Sequence, residues 1–284
     1  MDTWRIPIGD WSEVAITWMT DTFASFFDVL KAIFEGTYTA LDAALNWPPA
    51  WVILLAFGLI GLAVRGWRFV LLTLAGLSLI VFMDQWENAM HTIALVAVAS
   101  VVATAVAIPV GIAAARSDRV SKLVRPVLDF MQTMPAFVYL IPAVVIFSVG
   151  TMPGIVATII FAMPPGVRLT ELGIRHVDHE VVEAGHAFGT TPGRILRQIQ
   201  LPLAMPSIMA GINQVIMLAL SMTVIAGLTG GPGLGRPVLE AISTLNIGLG
   251  FEAGLAVVIV AIYLDRVTAA LGRRSVVSVQ RAEA

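Results

Sequence analysis

The chain has 284 residues, of which 58% are hydrophobic and only 13% charged, about half the charged share of a soluble domain. With a mean hydropathy of +0.88, this composition excludes a soluble globular protein and points to an all-α integral membrane protein. A net charge of −2 without a Lys/Arg run argues against a nucleic-acid partner, and the absence of cysteine excludes disulfides, thiolate metal sites and a cysteine nucleophile.

Residues 1–47 are acidic: Asp2, Asp10, Glu13, Asp21, Asp28, Glu35 and Asp42 stand against Arg5 and Lys31. Phe23, Phe26, Phe27, Leu30, Ile33 and Phe34 recur at helical spacing and give the segment one apolar face. The expectation is an amphipathic helix on the outer membrane surface, although its acidity opposes binding to anionic lipid. A first helix packed against the bundle is the alternative. No basic region precedes an apolar stretch, so no cleavable signal peptide is expected.

A bilayer core needs about 20 largely apolar residues per helix. Seven segments qualify: roughly Pro49–Val64, Trp67–Met83, His91–Ala115, Val127–Val149, Gly154–Ile174, Met205–Leu228 and Phe251–Leu271. The first two, within residues 48–90, are short. Pro109, Pro135, Pro142, Pro164 and Pro165 fall inside spans, where packed membrane helices tolerate them. Ala97, Ala99, Ala103 and Ala107 allow close helix approach.

Positive charge is biased toward alternate loops. Arg65 and Arg68 share one link, Arg116, Arg119, Lys122 and Arg125 the next but one, and Arg175, Arg194 and Arg197 follow the fifth span. The tail adds Arg273, Arg274 and Arg281, whereas residues 84–88 have no Lys/Arg and residues 230–250 have only Arg236. By the positive-inside rule the N-terminus is outside and the C-terminus inside. Residues 176–204 then face the cytosol.

Several chemistries lack their residues. Neither Lys31 nor Lys122 sits in a phosphate-binding loop, so any ATPase is another polypeptide. The cluster Gly230–Gly235 has no following lysine and contains Pro232; it reads as an external turn. His176, His179 and His186 lack the carboxylate pattern of a metal site, and no nucleophile elbow supports Ser/His/Asp catalysis. Charges crowd the span ends: Asp129 opens the fourth span, Arg168 and Glu171 lie three apart in the fifth and can pair, and Asp265 and Arg266 are adjacent in the seventh. Mid-membrane charges of the kind that drive an ion-coupled carrier are missing.

The stretch "EAGHAFGTTPGRILRQIQLP", Glu183 to Pro202, differs from its apolar neighbours. Val181–Phe188 suits a short helix stopped by Gly189 in a left-handed cap. Thr190–Gly193 makes a turn, and Pro192 opens a second helix through Gln200. Pro202 and Pro206 are expected to break or bend the chain before the sixth span. The result is a rigid helix–turn–helix handle suited to docking a partner.

Glu183, Ala184, Gly185, Gly189, Ile199, Leu201 and Pro202 match the spacing of the EAA signature, with Gly185 where alanine is more usual. Through it the chain resembles the membrane subunits of ABC importers. Met131–Phe147, Gln200–Met222 and Ala261–Gly272 are similar to the permeases for glycine betaine, proline betaine and related osmoprotectants. The resemblance covers about residues 91–272.

It implies a type I importer permease core over 91–272, with a coupling segment at 176–204 and a cytoplasmic tail at 273–284. It also implies a homodimer in the cytoplasmic (inner) membrane of a prokaryote, two cytoplasmic ATPase subunits that bind ATP and Mg, and an external substrate-binding protein. The chain itself would hold no cofactor and catalyse no hydrolysis. Glu183 would anchor the docking helix, Ala184, Gly185 and His186 would meet the ATPase groove, and Gly189 would set the turn, with Ile199, Leu201 and Pro202 completing the motif. Glycine betaine, proline betaine, choline, carnitine and trimethylamine N-oxide are the implied cargo class.

A quaternary amine is held by aromatic faces, which makes Phe137 and Tyr139 pathway candidates, with Gln132, Asn213 and Thr223 as polar ones. Core packing and interhelical hydrogen bonds compete for the same residues. The alternative function is a stand-alone secondary carrier or channel for a small solute.

Overall fold

Where the helices stop is set largely by proline, glycine and polar caps. A computed structural model describes residues 6–282, and side chains as far as residue 272. Asp2, Arg5 and the side chains of Arg273, Arg274 and Arg281 lie outside the described residues. The fold is helical throughout: α1 (Ile8–Thr22), α2 (Ala24–Asn46), α3 (Ala50–Arg65), α4 (Trp67–Phe82), α5 (Trp86–Arg116), α6 (Asp118–Thr133), α7 (Ala136–Phe147), α8 (Thr151–Arg175), α9 (His179–Ala187), α10 (Pro192–Ile195), α11 (Leu201–Ala226), α12 (Gly235–Thr244) and α13 (Ile247–Ala282).

The centre is α5, α8 and α11, with α13 against α11. Ala99, Ala103 and Ala107 have no exposed surface, and their four-residue spacing on α5 lets neighbouring backbones approach. Gly173 does the same for α8 against α11: a Cβ there would stand 2.6 Å from the Ser207 Cβ.

The chain alternates between two ends. At one end, the Gly150 amide before α8 donates to the Thr229 carbonyl after α11 at 2.9 Å, and the Leu234 amide donates to Thr92 near the start of α5 at 2.8 Å. At the other, Arg175 closing α8 donates to the Ala114 carbonyl near the end of α5 at 2.8 Å. Residues 176–204 follow Arg175, so they begin at the same end as the basic link after α5.

By length and composition four helices cross a bilayer (α5, α8, the run Pro192–Thr229, and α13), or six if the bent pairs α2–α3 and α6–α7 each count as one. The helix α4 has 16 residues, roughly 24 Å of rise against a core of about 30 Å. All seven expected segments are helical, but the fourth is not one straight span. It bends by 98° between α6 and α7, because Pro135 has no amide hydrogen and drives Met134 into an extended conformation, ψ 136°.

Residues 8–46 form two helices meeting at Phe23 rather than one. None of the residues of α1 is buried, whereas α2 docks on the bundle. Tyr38 packs with Ala94, Leu95 and Val98 of α5, and Phe27 meets Phe147 edge-on at 5.7 Å. Polar bonds fix the register: Asp42 contacts His91 Nδ1 at 2.5 Å and accepts from Asn46 at 2.9 Å. The packed alternative therefore describes α2.

Arg168 and Glu171 do not pair with one another. Arg168 turns to Asp129, while Glu171 accepts from Ser121 at 2.7 Å and Arg125 at 3.1 Å and pairs with Arg175 at 3.0 Å. Partners on α6, with Arg175 one turn on in α8, take the place of the three-residue neighbour.

Candidate functional site

The segment expected to dock a partner begins where Asp178 caps α9, its side chain accepting from the Glu180 amide at 2.9 Å. The helix closes in a Schellman motif. The Gly189 amide donates to the His186 carbonyl at 2.9 Å and the Thr190 amide to the Gly185 carbonyl at 3.1 Å. Gly189 has φ +74°, a conformation that costs a residue with a Cβ about 1–2 kcal/mol.

Pro192 opens α10 as its first residue, as expected. Leu196–Gln200 then form a π turn that runs directly into α11. Of the expected break or bend at Pro202 and Pro206, a break does not occur. Pro202 sits in the first turn of α11, and the widened turn before it accommodates the missing amide donors. Residues Pro192–Thr229 form one continuous run.

Gly185 is the contact point between the two arms. A Cβ there would meet Ile199 Cδ1 at 3.0 Å and Ile195 Cγ1 at 3.4 Å, so the absence of a side chain lets α9 lie against the π turn. Leu196 and Leu201 then pack with Ile174 and Val177 of the α8 end and Ala204 and Ile208 of α11. The segment after α9 is thereby packed against both long helices.

The opposite face is open. Glu183, Ala184, His186 and Gly189 are all exposed, with Glu183 beside His179 at 3.2 Å. Phe188 is 90% exposed at the tip. It was not among the expected site residues, yet its signal is legible: a large aromatic just before a helix-stopping glycine in a polar stretch. Ile199, Leu201 and Pro202 are half-buried on the inner side.

The five expected pathway residues do not converge. Gln132 and Phe137 are exposed on either side of the α6–α7 break. Tyr139 is buried and donates to the Met131 carbonyl at 2.5 Å, bridging that break. Thr223 is buried and donates to the Leu220 carbonyl at 2.7 Å. Asn213 donates to Asp265 at 2.9 Å and accepts from Thr268 at 2.6 Å, joining α11 to α13. Among the histidines, His176 faces the Leu172 carbonyl at 2.9 Å, and among the described residues no cluster of three or more His, Cys, Asp or Glu could hold a metal.

Residues 107–277 match the family of binding-protein-dependent transport system inner membrane components. The chain is 46% identical, over 95% of its length and 97% of the relative's, to the glycine betaine/carnitine transport permease protein of Listeria monocytogenes. It is 44% identical, over 93% and 94% respectively, to the glycine betaine transport system permease protein of Bacillus subtilis. In fold it is similar to a methionine ABC transporter solved in an inward-facing conformation, with a TM-score of 0.60 at 20% identity, over 65% of this chain and 92% of that one. This chain belongs to the family of inner-membrane permease components of binding-protein-dependent transport systems.

Proposed function

We propose that the chain is the permease of an ATP-driven, binding-protein-dependent importer of glycine betaine, proline betaine or a related methylated amine. Choline, carnitine and trimethylamine N-oxide belong to the same cargo class. The observation that carries the mechanism is α9: its exposed face presents Glu183, Ala184, His186 and Phe188, while its inner face is locked by Gly185 against Ile195 and Ile199. A separate cytoplasmic subunit binds ATP and Mg and receives α9 in a groove. Closure of two such subunits moves the docking helices together, and α8 and α11 transmit the motion as rigid bodies. The substrate class is supported by the relatives, which are permeases for glycine betaine and carnitine.

In this arrangement the N-terminus lies outside the cytoplasmic membrane and α9 inside. A second copy completes the channel, and an external protein delivers the solute. Gln132 and Phe137, exposed at the α6–α7 break, are the pathway groups not already occupied by protein hydrogen bonds. Phe137 offers its ring to a quaternary ammonium. Asn213, Thr223 and Tyr139 hold helices and turns in place through their own hydrogen bonds.

The test is uptake of labelled glycine betaine, proline betaine, choline and carnitine into proteoliposomes. The chain reconstituted with its ATPase and binding protein is expected to accumulate at least one of them only with ATP. Accumulation by the chain alone would instead establish the secondary-carrier reading.

A further inference from the structure

A groove of about 580 Å³ runs between α4 and α13, at the end where α3 turns into α4. Its mouth carries three guanidiniums, Arg65, Arg68 and Arg266, and its walls include Leu72, Ile262 and Tyr263. The aromatic floor is rigid: Tyr263 stacks on Phe69 with an interplanar angle of 10° and donates its hydroxyl to the Phe57 carbonyl at 3.1 Å. That bond occupies the Tyr263 hydroxyl, so below the charged rim the wall is apolar apart from the Thr73 hydroxyl.

The rim is under-neutralised. Asp265 lies 3.7 Å from Arg266. Among the described residues no carboxylate comes within ion-pair reach of Arg65 or Arg68, and the Arg68 guanidinium rests 5.7 Å from the Trp67 ring centroid. Meanwhile Leu72 is 72% exposed and Ile262 is exposed as well, on helices whose composition suits hydrocarbon. A soluble anion would satisfy the arginines and leave the apolar walls uncovered. An apolar peptide would cover the walls and leave the arginines unpaired.

We propose that this groove is a binding site for one anionic phospholipid, with its phosphate among Arg65, Arg68 and Arg266 and an acyl chain along Leu72, Ile262 and the Tyr263 ring. Basic pockets between membrane helices recognise anionic headgroups in this way, and the adjacent exposed Trp67 suits the headgroup level. The bound lipid staples the α3–α4 hairpin to α13. This assignment does not depend on which solute the chain carries.

The full-length protein, purified in mild detergent, is equilibrated with equimolar phosphatidylglycerol and phosphatidylcholine, and retained lipid is counted by native mass spectrometry. The wild type is expected to keep one phosphatidylglycerol in preference to phosphatidylcholine. Arg65→Gln with Arg68→Gln should lower that retention by roughly fivefold per arginine, which corresponds to ~1 kcal/mol each. Arg65→Lys with Arg68→Lys should keep most of it. Excess glycerol phosphate should not displace the lipid. Equal retention of the two lipids, unchanged retention in the double glutamine variant, displacement by glycerol phosphate, or a second copy of the chain filling the groove and excluding lipid would each overturn the proposal. Unchanged thermal unfolding of the glutamine variant in lipid-free detergent separates lost binding from lost folding.

Discussion

Glu183→Ala combined with Gly189→Pro abolishes solute uptake, lowering it at least tenfold, about 1.4 kcal/mol of coupling, while the protein still inserts in the membrane. Gly189 sits at φ +74°, which proline cannot adopt, and its amide donates to His186, which proline cannot do. The cap that ends α9 is lost, and Phe188 is redirected from the tip. Glu183 itself contributes little to folding, since its contact with His179 is a surface pair worth less than about 1 kcal/mol. Loss of uptake therefore reports docking. Phe188→Ala alone should remove about 2 kcal/mol of binding, the scale of an aromatic anchor at an interface, and with it ATPase co-purification. Gly189→Asn, which tolerates the left-handed region, should retain most uptake. Full uptake in the double variant contradicts the coupling role.

The second large effect concerns the base of the lever. The Glu171 side chain is only 6% exposed and is paired by Arg175 and by Arg125, whose own side chain is 61% exposed. Arg175 also holds Asp118 at 2.8 Å and the Ala114 carbonyl, binding α8 to the junction of α5 and α6. Arg175→Ala leaves a buried carboxylate served by a solvated arginine and a serine, and should destabilise the protein by about 3 kcal/mol. Glu171→Gln removes the buried charge and still accepts from Ser121, so its loss should be smaller, about 1–2 kcal/mol. Thermal unfolding of the two variants in one detergent gives the order. If the glutamine variant is the less stable, the buried charge is not what makes this junction sensitive.

Both effects separate what a sequence carries locally from what it does not. Gly189 and Pro192 act within one turn of themselves, so the cap and the helix start are legible from residue type alone. Proline inside a span is ambiguous. Pro109, Pro164 and Pro165 lie within unbroken helices, whereas Pro135 ends one. The difference comes from Met134 turning extended and from Tyr139 closing the gap on Met131. The partners of Arg168 and Glu171 are equally invisible, because Asp129, Ser121 and Arg125 lie 39 to 50 positions away. Three of the five pathway candidates were polar residues whose hydrogen bonds stay inside the protein, a fate composition cannot distinguish from lining a channel. The sequence puts Gly185 in the motif expected to meet the ATPase groove, whereas the 3.0 Å approach to Ile199 places it on the buried inner face of α9.

The central claim is that α9 is where another subunit's energy enters this chain. Because the chain has no cysteine, Ala187→Cys, at an exposed position beside the tip of α9, provides a single attachment point for a thiol-linked photocrosslinker in the assembled transporter. Irradiation is expected to join the chain to the ATPase subunit, and Gly189→Pro in the same background should abolish the adduct. An adduct from a label at Trp18→Cys on α1, with none from position 187, would contradict the account.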